Sequence, residues 1–436
     1  MNNARETAFD LLMRVSQSDS YINLLLPSVL RKSQLEESDR GLVQELSYGS
    51  LRWQLQYDAI IDLLSSSGSP TERTRTLLRL GLHQLFRMRI PEHAAVSETV
   101  ELAKRLEPRA AGYVNAILRK AQREGFESLT VQLTQGKSQT EKLAILYSHP
   151  QWVVFELKAA LELDGRGAEL EDLLRSNNET PVVNLAALTA TAEEELKGAG
   201  LEPGGLVPGA FLVHGNPEPL LSNSVRVQDQ GSQLVARVLA SLAEKDGRWV
   251  DMCAGPGGKA AILQQEIEDP AKLDCYEPAE HRAQLVRDAL GDETLANVVT
   301  DFGQSIPVDS YQGILLDAPC SGLGSLRRKP ESRWRKSIEA ITELRKTQSE
   351  LLEAACNGLA KGGVLVYATC SPVLAETNDQ IAQLLSGRSD VELIDLVPVV
   401  STLNPEIELN RGRKTIQLWT HRHASDAMFV AALRKK

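Results

Sequence analysis

The sequence predicts an α/β fold: a doubly covered, mostly parallel sheet in the C-terminal half, preceded by an all-α region and a small α+β segment. Three observations carry this reading. From about residue 225, short apolar runs alternate with amphipathic helical stretches. A glycine-rich turn, Ala254-Gly255-Pro256-Gly257-Gly258-Lys259, follows the first of those runs. Two cysteines, Cys320 and Cys370, each follow a later apolar run.

The bulk composition sets the frame. The chain has 436 residues, 42% hydrophobic and 24% charged, an ordinary globular profile with room for two to four cores. No apolar run approaches the ~20 residues of a membrane span. The first ten residues are polar and charged, so no secretory signal and a cytoplasmic location are expected. The five cysteines include no CxxC pair, so neither a disulfide framework nor a structural metal site is expected. Cys275 and Cys356 carry no motif and read as core; Cys253 reads as packing or as a cofactor wall.

A net charge of −10 is unevenly spread. Residues 71–124 hold eleven Lys/Arg against six Asp/Glu, and residues 326–346 hold eight against three. Residues 141–225 hold five against thirteen. Phosphate binding depends on the local field, so a nucleic-acid partner stays open despite the acidic total. Either basic stretch also reads as a solvated helix face.

The first ~135 residues read as helices. Ala4, Ala8, Leu11, Leu12 and Val15 share one helical face, and similar stripes run through 60–64, 77–86 and 96–106. The run 65–70 breaks the series as a loop, and Arg73, Arg75, Arg79, Arg87 and Arg89 follow it. Helices over 152–163 and 168–175 open the next segment, which turns strand-like at 181–188 and 211–214. Strands are then predicted at 248–253, 273–276, 297–300, 313–316 and 364–369, with helices at 259–265, 281–290 and 348–359. The resulting division is 1–138 helical, 139–225 small α+β, and 226–436 sheet domain.

In such sheets the ligand sits beyond the carboxyl ends of the strands. The glycine turn, Glu277, Asp301, Asp317, Cys320 and Cys370 are all predicted at such ends. The turn has neither the GxGxxG nor the GxxxxGK[ST] spacing, so it suits a nucleoside cofactor better than a phosphate cradle. Glu277, twenty residues after Gly257, is placed to accept the ribose hydroxyls, and Asp301 to meet an adenine amino group. Asp317 precedes Cys320 by three residues across the stiff Ala318-Pro319 joint, which suits the amidine edge of a cytosine.

Two thiols beside a base have a chemical purpose. Carbon 5 of a pyrimidine is a poor nucleophile until a thiolate adds to carbon 6 and makes an enamine. The thiolate needs nearby positive charge or donors. A second thiol has work in proton removal or elimination. The run Arg327-Arg328-Lys329-Pro330 with Arg333 and Trp334 follows Cys320 at once. These residues suit phosphate contact and stacking of an extruded base, or equally a surface loop with a packed Trp. His421 and His423 read as structural.

The strings DMCAGPGGKA, LLDAPCSGLGSLRRKPESRW and VLVYATCSPVLAETN closely resemble those of RNA 5-methylcytosine methyltransferases. The Asp39-Arg40-Gly41-Leu42-Val43 and Tyr48-Gly49-Ser50-Leu51-Arg52 stretches are similar to the NusB-like RNA-binding domain of the bacterial RsmB-type ribosomal RNA branch. Tyr147-Ser148-His149-Pro150-Gln151-Trp152 and Val227-Gln228-Asp229-Gln230-Gly231-Ser232-Gln233 resemble the same branch, so the likeness covers nearly the whole chain.

The resemblance implies a class I methyltransferase with a Rossmann-like sheet. It implies S-adenosyl-L-methionine held by Cys253, Ala254, Gly255, Pro256, Gly257, Gly258, Lys259, Glu277, Asp301 and Asp317. It implies Cys370 as nucleophile, Cys320 as the group that helps release product, Asp317 near the base, and RNA contacts at Arg327, Arg328, Lys329, Arg333 and Trp334. The implied substrate is a cytosine of small-subunit ribosomal RNA and the implied state a monomer. DNA carbon-5 methyltransferases use the cysteine of the PC motif for attack, so Cys320 competes for that role; the TCS string favours Cys370.

Two departures from the family pattern are visible. Val183-Asn184-Leu185-Ala186-Ala187 lacks the Arg often found after the Leu, and Ser425-Asp426-Ala427-Met428-Phe429 stands where many members have Asp-Gly-Phe-Phe. A non-catalytic RNA-binding or antitermination module would need neither the thiol pair nor the turn. Methylation of an exocyclic amine would want a polar-Pro-Pro-aromatic string where Asp317-Ala318-Pro319-Cys320 stands. Transfer RNA is the rival substrate within the first reading.

Overall fold

The computed structural model describes residues 3–18, 20–66 and 68–436. By packing, the chain forms two compact units. One comprises Met1–Phe155, Leu174–Glu179 and Leu326–Arg335; the other comprises Glu156–Leu173, Thr180–Ser325 and Lys336–Lys436. The expected boundary at 138 falls inside the first unit, and the sheet of the expected middle segment lies in the second.

The first unit is helical because its apolar residues recur on one face. Helices Ala4–Gln17, Glu37–Arg52, Gln54–Leu64, Glu72–Arg87, Glu92–Leu106 and Ala111–Glu124 bury Phe9, Leu46, Tyr57, Leu77, Leu82 and Val114 in one core. Side-chain caps start several helices: Asn3 accepts from the Glu6 amide at 2.9 Å and Thr71 from the Thr74 amide at 3.3 Å. The break at 65–70 is non-helical as expected; Ser67 lies outside the described residues, as do Met1 and Asn2 of the expected polar start.

The strip Leu326–Arg335 is integral to this unit. Arg333 is fully buried, and its guanidinium donates to the Ser148 carbonyl at 3.0 Å, to Asn178 Oδ1 at 2.8 Å and to the Asn177 carbonyl at 3.3 Å. The Trp334 indole N–H donates to the Leu51 carbonyl at 3.0 Å. Arg335 reaches the carbonyls of Val15, Ser18 and Ser20 at 2.7, 3.0 and 2.8 Å. Glu331 accepts from the Ile22 amide at 2.6 Å, and Arg52 donates to the Arg327 carbonyl at 3.1 Å.

The second unit contains two sheets. The smaller one has β1 (Val183–Ala187), β2 (Glu202–Pro203), β3 (Ala210–Val213) and β4 (Val225–Val227), in the order β2-β3-β1-β4, all antiparallel. The Gln230–Leu242 helix is stitched to it: Gln233 Nε2 donates to the Leu185 carbonyl at 3.2 Å, and Gln230 Oε1 accepts from the Leu206 amide at 2.9 Å. The glutamines of Val227-Gln228-Asp229-Gln230-Gly231-Ser232-Gln233 thus act in part as structural ties.

The larger sheet contains β5 (Trp249–Asp251), β6 (Leu273–Tyr276), β7 (Asn297–Val299), β8 (Tyr311–Asp317), β9 (Leu359–Thr369), β10 (Val391–Ile394), β11 (Ile416–Gln417) and β12 (Phe429–Lys435). Its order is β7-β6-β5-β8-β9-β12-β10, with β11 paired to β12. The first five of these are parallel, and β12 is antiparallel to both neighbours. Residues 364–369 of β9 are buried without interruption, the pattern of a strand covered on both faces. The helix Ile338–Gly358, started by a Ser337 side chain that accepts from the Ala340 amide, lies between β8 and β9 in sequence. Strand order reverses between β5 and β8, and the crevice beyond their carboxyl ends is where an open sheet of this kind binds its ligand.

Candidate active site at the strand ends

Every strand-end residue singled out from the sequence emerges at the carboxyl edge of the large sheet. The glycine turn leaves β5, Glu277 follows β6, Asp301 follows β7, Asp317 ends β8 with Cys320 three residues on, and Cys370 follows β9. The Sγ atoms of Cys320 and Cys370 lie 3.3 Å apart. Backbone pairing supports that approach: the Gly324 amide donates to the Cys370 carbonyl, and the Ala427 amide to the Gly324 carbonyl, each at 2.9 Å. A Cβ at Gly324 would stand 2.2 Å from the Ala427 carbonyl oxygen, so only glycine fits. The variant Ser425-Asp426-Ala427-Met428-Phe429 string therefore borders the thiols and leads into β12, which pairs with β9 through Phe429 and Thr369.

The turn after β5 has the form of a cofactor cradle. Gly257 has φ +98°, a left-handed conformation suited to glycine. At Gly255 a Cβ would lie 2.2 Å from Glu277 Oε2 and 2.9 Å from the Arg282 guanidinium. Glu277 is nearly buried; its Oε1 accepts from the Ala279 amide at 3.1 Å, and Arg282 stands 3.3 Å from its Oε2. Arg282 also donates to the Gly255 carbonyl at 2.8 Å. Arg226 Nη1 and Nη2 donate to the carbonyls of Gly257 and Ala289, bracing the turn. Asp301 accepts from the Phe302 amide at 2.7 Å, and the Phe302 side chain beside it is 63% exposed. A buried carboxylate, a second acid and an exposed ring around a glycine turn fit a nucleoside cofactor.

The electrostatics separate the two thiols. Lys259 donates to Asp317 Oδ2 at 2.6 Å. Burial works to lower the pKa of the Lys259 ammonium, but Asp317, Asp251 and the Cys370 sulfur outweigh it and raise the pKa. Lys259 therefore supplies positive charge close to Cys370. The Cys320 thiol is pushed well above its usual range, first by its hydrogen bond to Cys370, then by burial and by the charges of Cys370, Glu376 and Asp317. These influences hold Cys320 in its protonated form. Asp251, fully enclosed under the turn, is pushed up to about 7 by burial, against the pull of Lys259. Burial, with the charges of Asp251, Asp317 and Glu277, also drives the Cys253 thiol far up, which disfavours its thiolate. Cys275 and Cys356 are buried core, as their lack of motif suggested.

The basic strip after Cys320 differs from the sequence expectation. Arg327 and Arg333 are buried, and Arg333 and Trp334 are committed to acceptors within the helical unit. Arg328 and Lys329 are partly exposed, and Lys329 lies 5.7 Å above the Tyr21 ring. His421 and His423 hold Glu169 and the Glu408 carbonyl at 2.8 and 2.9 Å, which agrees with a structural role. Lys259, expected as part of the cofactor turn, also reaches Asp317, a contact the sequence does not signal. Glu376, which joins the two cysteine turns, is not singled out by the sequence analysis. Among the described residues there is no group of three or more His, Cys, Asp or Glu suited to a metal, and no helix is long and apolar enough to cross a membrane.

Comparison with known proteins agrees with this geometry. Residues 238–434 match the family described as 16S rRNA methyltransferase RsmB/F, and residues 2–123 match the NusB family. The chain is 39% identical to the Mycobacterium tuberculosis protein named methyltransferase MT1451, over 99% of this chain and 96% of the other. It is 33% identical to ribosomal RNA small subunit methyltransferase B of Pseudomonas syringae pv. tomato, over 99% and 97% of the two chains. The crystal structure of PH0851 superposes with a TM-score of 0.79 at 21% identity, covering 99% of this chain and 98% of that one, so the two share a fold; the family matches make it a Rossmann-like class I methyltransferase sheet with an all-helical NusB-like N-terminal region. The chain is a member of the RsmB/F family, an S-adenosylmethionine-dependent rRNA methyltransferase.

Proposed function

We propose that the protein methylates carbon 5 of a cytosine in 16S ribosomal RNA through a covalent bond between Cys370 and carbon 6 of the base. The observation that carries this reading is the pair of thiols 3.3 Å apart, one beside the Lys259 charge and the other held protonated. Glu277, Asp301 and the turn from Cys253 to Gly258 would hold the cofactor, with Phe302 against its adenine. Bound there, S-adenosylmethionine supplies an electrophilic methyl group to carbon 5.

The residues of the chain do the rest. Cys370 thiolate adds to carbon 6, and the electron pair moves to carbon 5. Ring nitrogen 3 takes up a proton, and Asp317, steadied by Lys259 through Oδ2 and partly exposed, accepts from that N–H and from the exocyclic amine. Once Cys370 is bonded to carbon its charge is gone, and with it the largest influence that keeps Cys320 protonated. Cys320 then gives up its own proton to solvent, and the resulting thiolate takes the carbon-5 proton; that electron pair closes the 5,6 double bond, the carbon–sulfur bond breaks to return Cys370 as a thiolate, and ring nitrogen 3 gives its proton back to solvent. Arg328 and Lys329 are the members of the basic strip proposed to contact phosphate. The active species is proposed to be a cytoplasmic monomer.

The test is incubation with labelled S-adenosylmethionine and either 16S ribosomal or transfer RNA, followed by denaturing gels. Cys320→Ala should accumulate a covalent protein–RNA adduct, and Cys370→Ala should form none and transfer no methyl. The reverse pattern would exchange the two roles, and labelling of transfer RNA alone would move the substrate.

A further inference from the structure

Two turns from different strands must be held in register for the thiols to work as a pair, and one side chain spans both. Glu376 is fully buried. Its Oε1 accepts from the Ser321 amide at 2.7 Å and is approached by Gln348 Nε2 at 3.3 Å. Its Oε2 accepts from the hydroxyls of Ser321 and Ser371, both at 2.6 Å, and those hydroxyls stand 3.0 Å apart. Ser321 directly follows Cys320, and Ser371 directly follows Cys370. Gln348 also donates to the Pro319 carbonyl at 2.9 Å, gripping the residue before Cys320. The Glu376 carbonyl accepts from the Tyr367 hydroxyl of β9 at 2.7 Å.

Such a carboxylate is not there to stabilise an ion pair, since no Lys or Arg among the described residues pairs with it. Burying a charge without a cation is costly unless donors surround it, and here the donors come from both cysteine turns. The arrangement spends that cost on geometry.

We propose that Glu376 is the positioning residue of the thiol pair, tying the turn after β8 to the turn after β9 so that Cys320 and Cys370 stand within reach of each other. The clasp exists in the resting protein; its catalytic meaning rests on the cytosine reading above. Glu376 also contributes charge to the setting of Cys320, together with Cys370 and Asp317, while Tyr367 and Lys259 face the same space.

The test has one arm without substrate and one with it. Full-length protein and Glu376→Gln are alkylated with iodoacetamide across a pH series, and the two cysteines are followed by peptide mapping. With the charge removed, the pH at which Cys320 reacts should fall by about one unit. With RNA and S-adenosylmethionine, the variant should lose about 10²-fold in kcat, as expected for misplaced reacting groups, while the affinities for cofactor and RNA hold. Ser321→Ala and Ser371→Ala each remove one arm of the clasp and should give smaller losses of the same kind; they serve as the measurement if Glu376→Gln does not fold. An unmoved Cys320 profile with unchanged kcat in folded protein would overturn the proposal. A shifted profile in a protein that methylates no cytosine would leave the clasp standing and sink the cytosine reading instead.

Discussion

Lys259 Nζ stands 2.6 Å from Asp317 Oδ2, so the last residue of the glycine turn is bound to the last residue of β8 across the switch point of the sheet. This pair links the cofactor cradle to the carboxylate assigned to the base. It also puts an ammonium near Cys370. Replacing Lys259 with Met should therefore act on two readouts. The pH at which Cys370 is alkylated should rise by about one unit or more, because an opposite charge has been withdrawn. Methyl transfer at pH 7 should drop in parallel and partly recover at higher pH. An alkylation profile identical to that of the parent protein would separate Lys259 from the thiolate.

Gly255 and Gly258 differ in what a methyl group would meet. At Gly255 it would strike the Glu277 carboxylate at 2.2 Å, whereas at Gly258 it would meet only Gln228 at 3.5 Å, an ordinary contact. Gly255→Ala should weaken S-adenosylmethionine binding about 10- to 100-fold, comparable to Glu277→Ala, as expected from losing a hydrogen bond to a charged group. Gly258→Ala should bind nearly normally. Calorimetry on the three variants decides; equal losses at both glycines would count against Glu277 as the ribose acceptor.

Asp251 makes a prediction about pH. Its folded-state pKa of about 7 lies above the ordinary carboxylate value, so the folded chain holds this proton more tightly than the unfolded chain. That contribution to stability is fully present below about pH 4 and is lost as pH rises through 7. Asp251→Asn cannot ionise. The melting temperature of the variant minus that of the parent, measured without cofactor from pH 5 to 8, should rise with pH. A flat difference would mean that Asp251 titrates normally.

Arg333 and Lys329 should behave differently although the sequence presents them as one basic run. Arg333→Met removes the guanidinium that donates to the Ser148 carbonyl, Asn178 Oδ1 and the Asn177 carbonyl, and each buried group so left unsatisfied costs about 1–3 kcal/mol. Its melting temperature should fall by about 5 °C or more. Lys329→Ala should leave melting nearly unchanged and reduce the salt dependence of RNA binding by about one unit of slope. A stable Arg333→Met protein would show that the buried guanidinium is dispensable to the helical unit.

Much of the site was legible because chemistry sits where apolar runs stop. Trp249–Asp251 and Tyr311–Asp317 are short enough that strand, turn and functional side chain are read in one stretch of chain. Glu277 and Asp301 were legible for the same reason. Glu376 was not: it lies inside the VLVYATCSPVLAETN string and five residues from one partner, Ser371, but its other partners, the Ser321 amide and hydroxyl, are 55 residues away. Arg333 failed in the opposite sense. Its partners lie 155 and 185 residues distant, and they are a side-chain amide and a carbonyl, which leave no trace in a charge pattern. A run of Arg looks the same whether its acceptors are phosphates or peptide groups. The pairing of β10 with the far side of β12 was equally hidden, since non-local pairing has no local signal.

The strip Leu326–Arg335 has a consequence for how the molecule is born. A chain leaves the ribosome N-terminus first, and early domains commonly fold before later ones are made. Here the helices of the first unit emerge long before Arg333 and Trp334, yet the carbonyls of Leu51, Ser148 and Asn177 accept from those two side chains. The helical unit therefore reaches its final form only after β8 and the Cys320 turn have been synthesised. Its maturation is timed by the catalytic domain, and a nascent chain arrested before residue 333 should carry a helical unit that is looser and more easily cut by protease than the same unit in the finished protein.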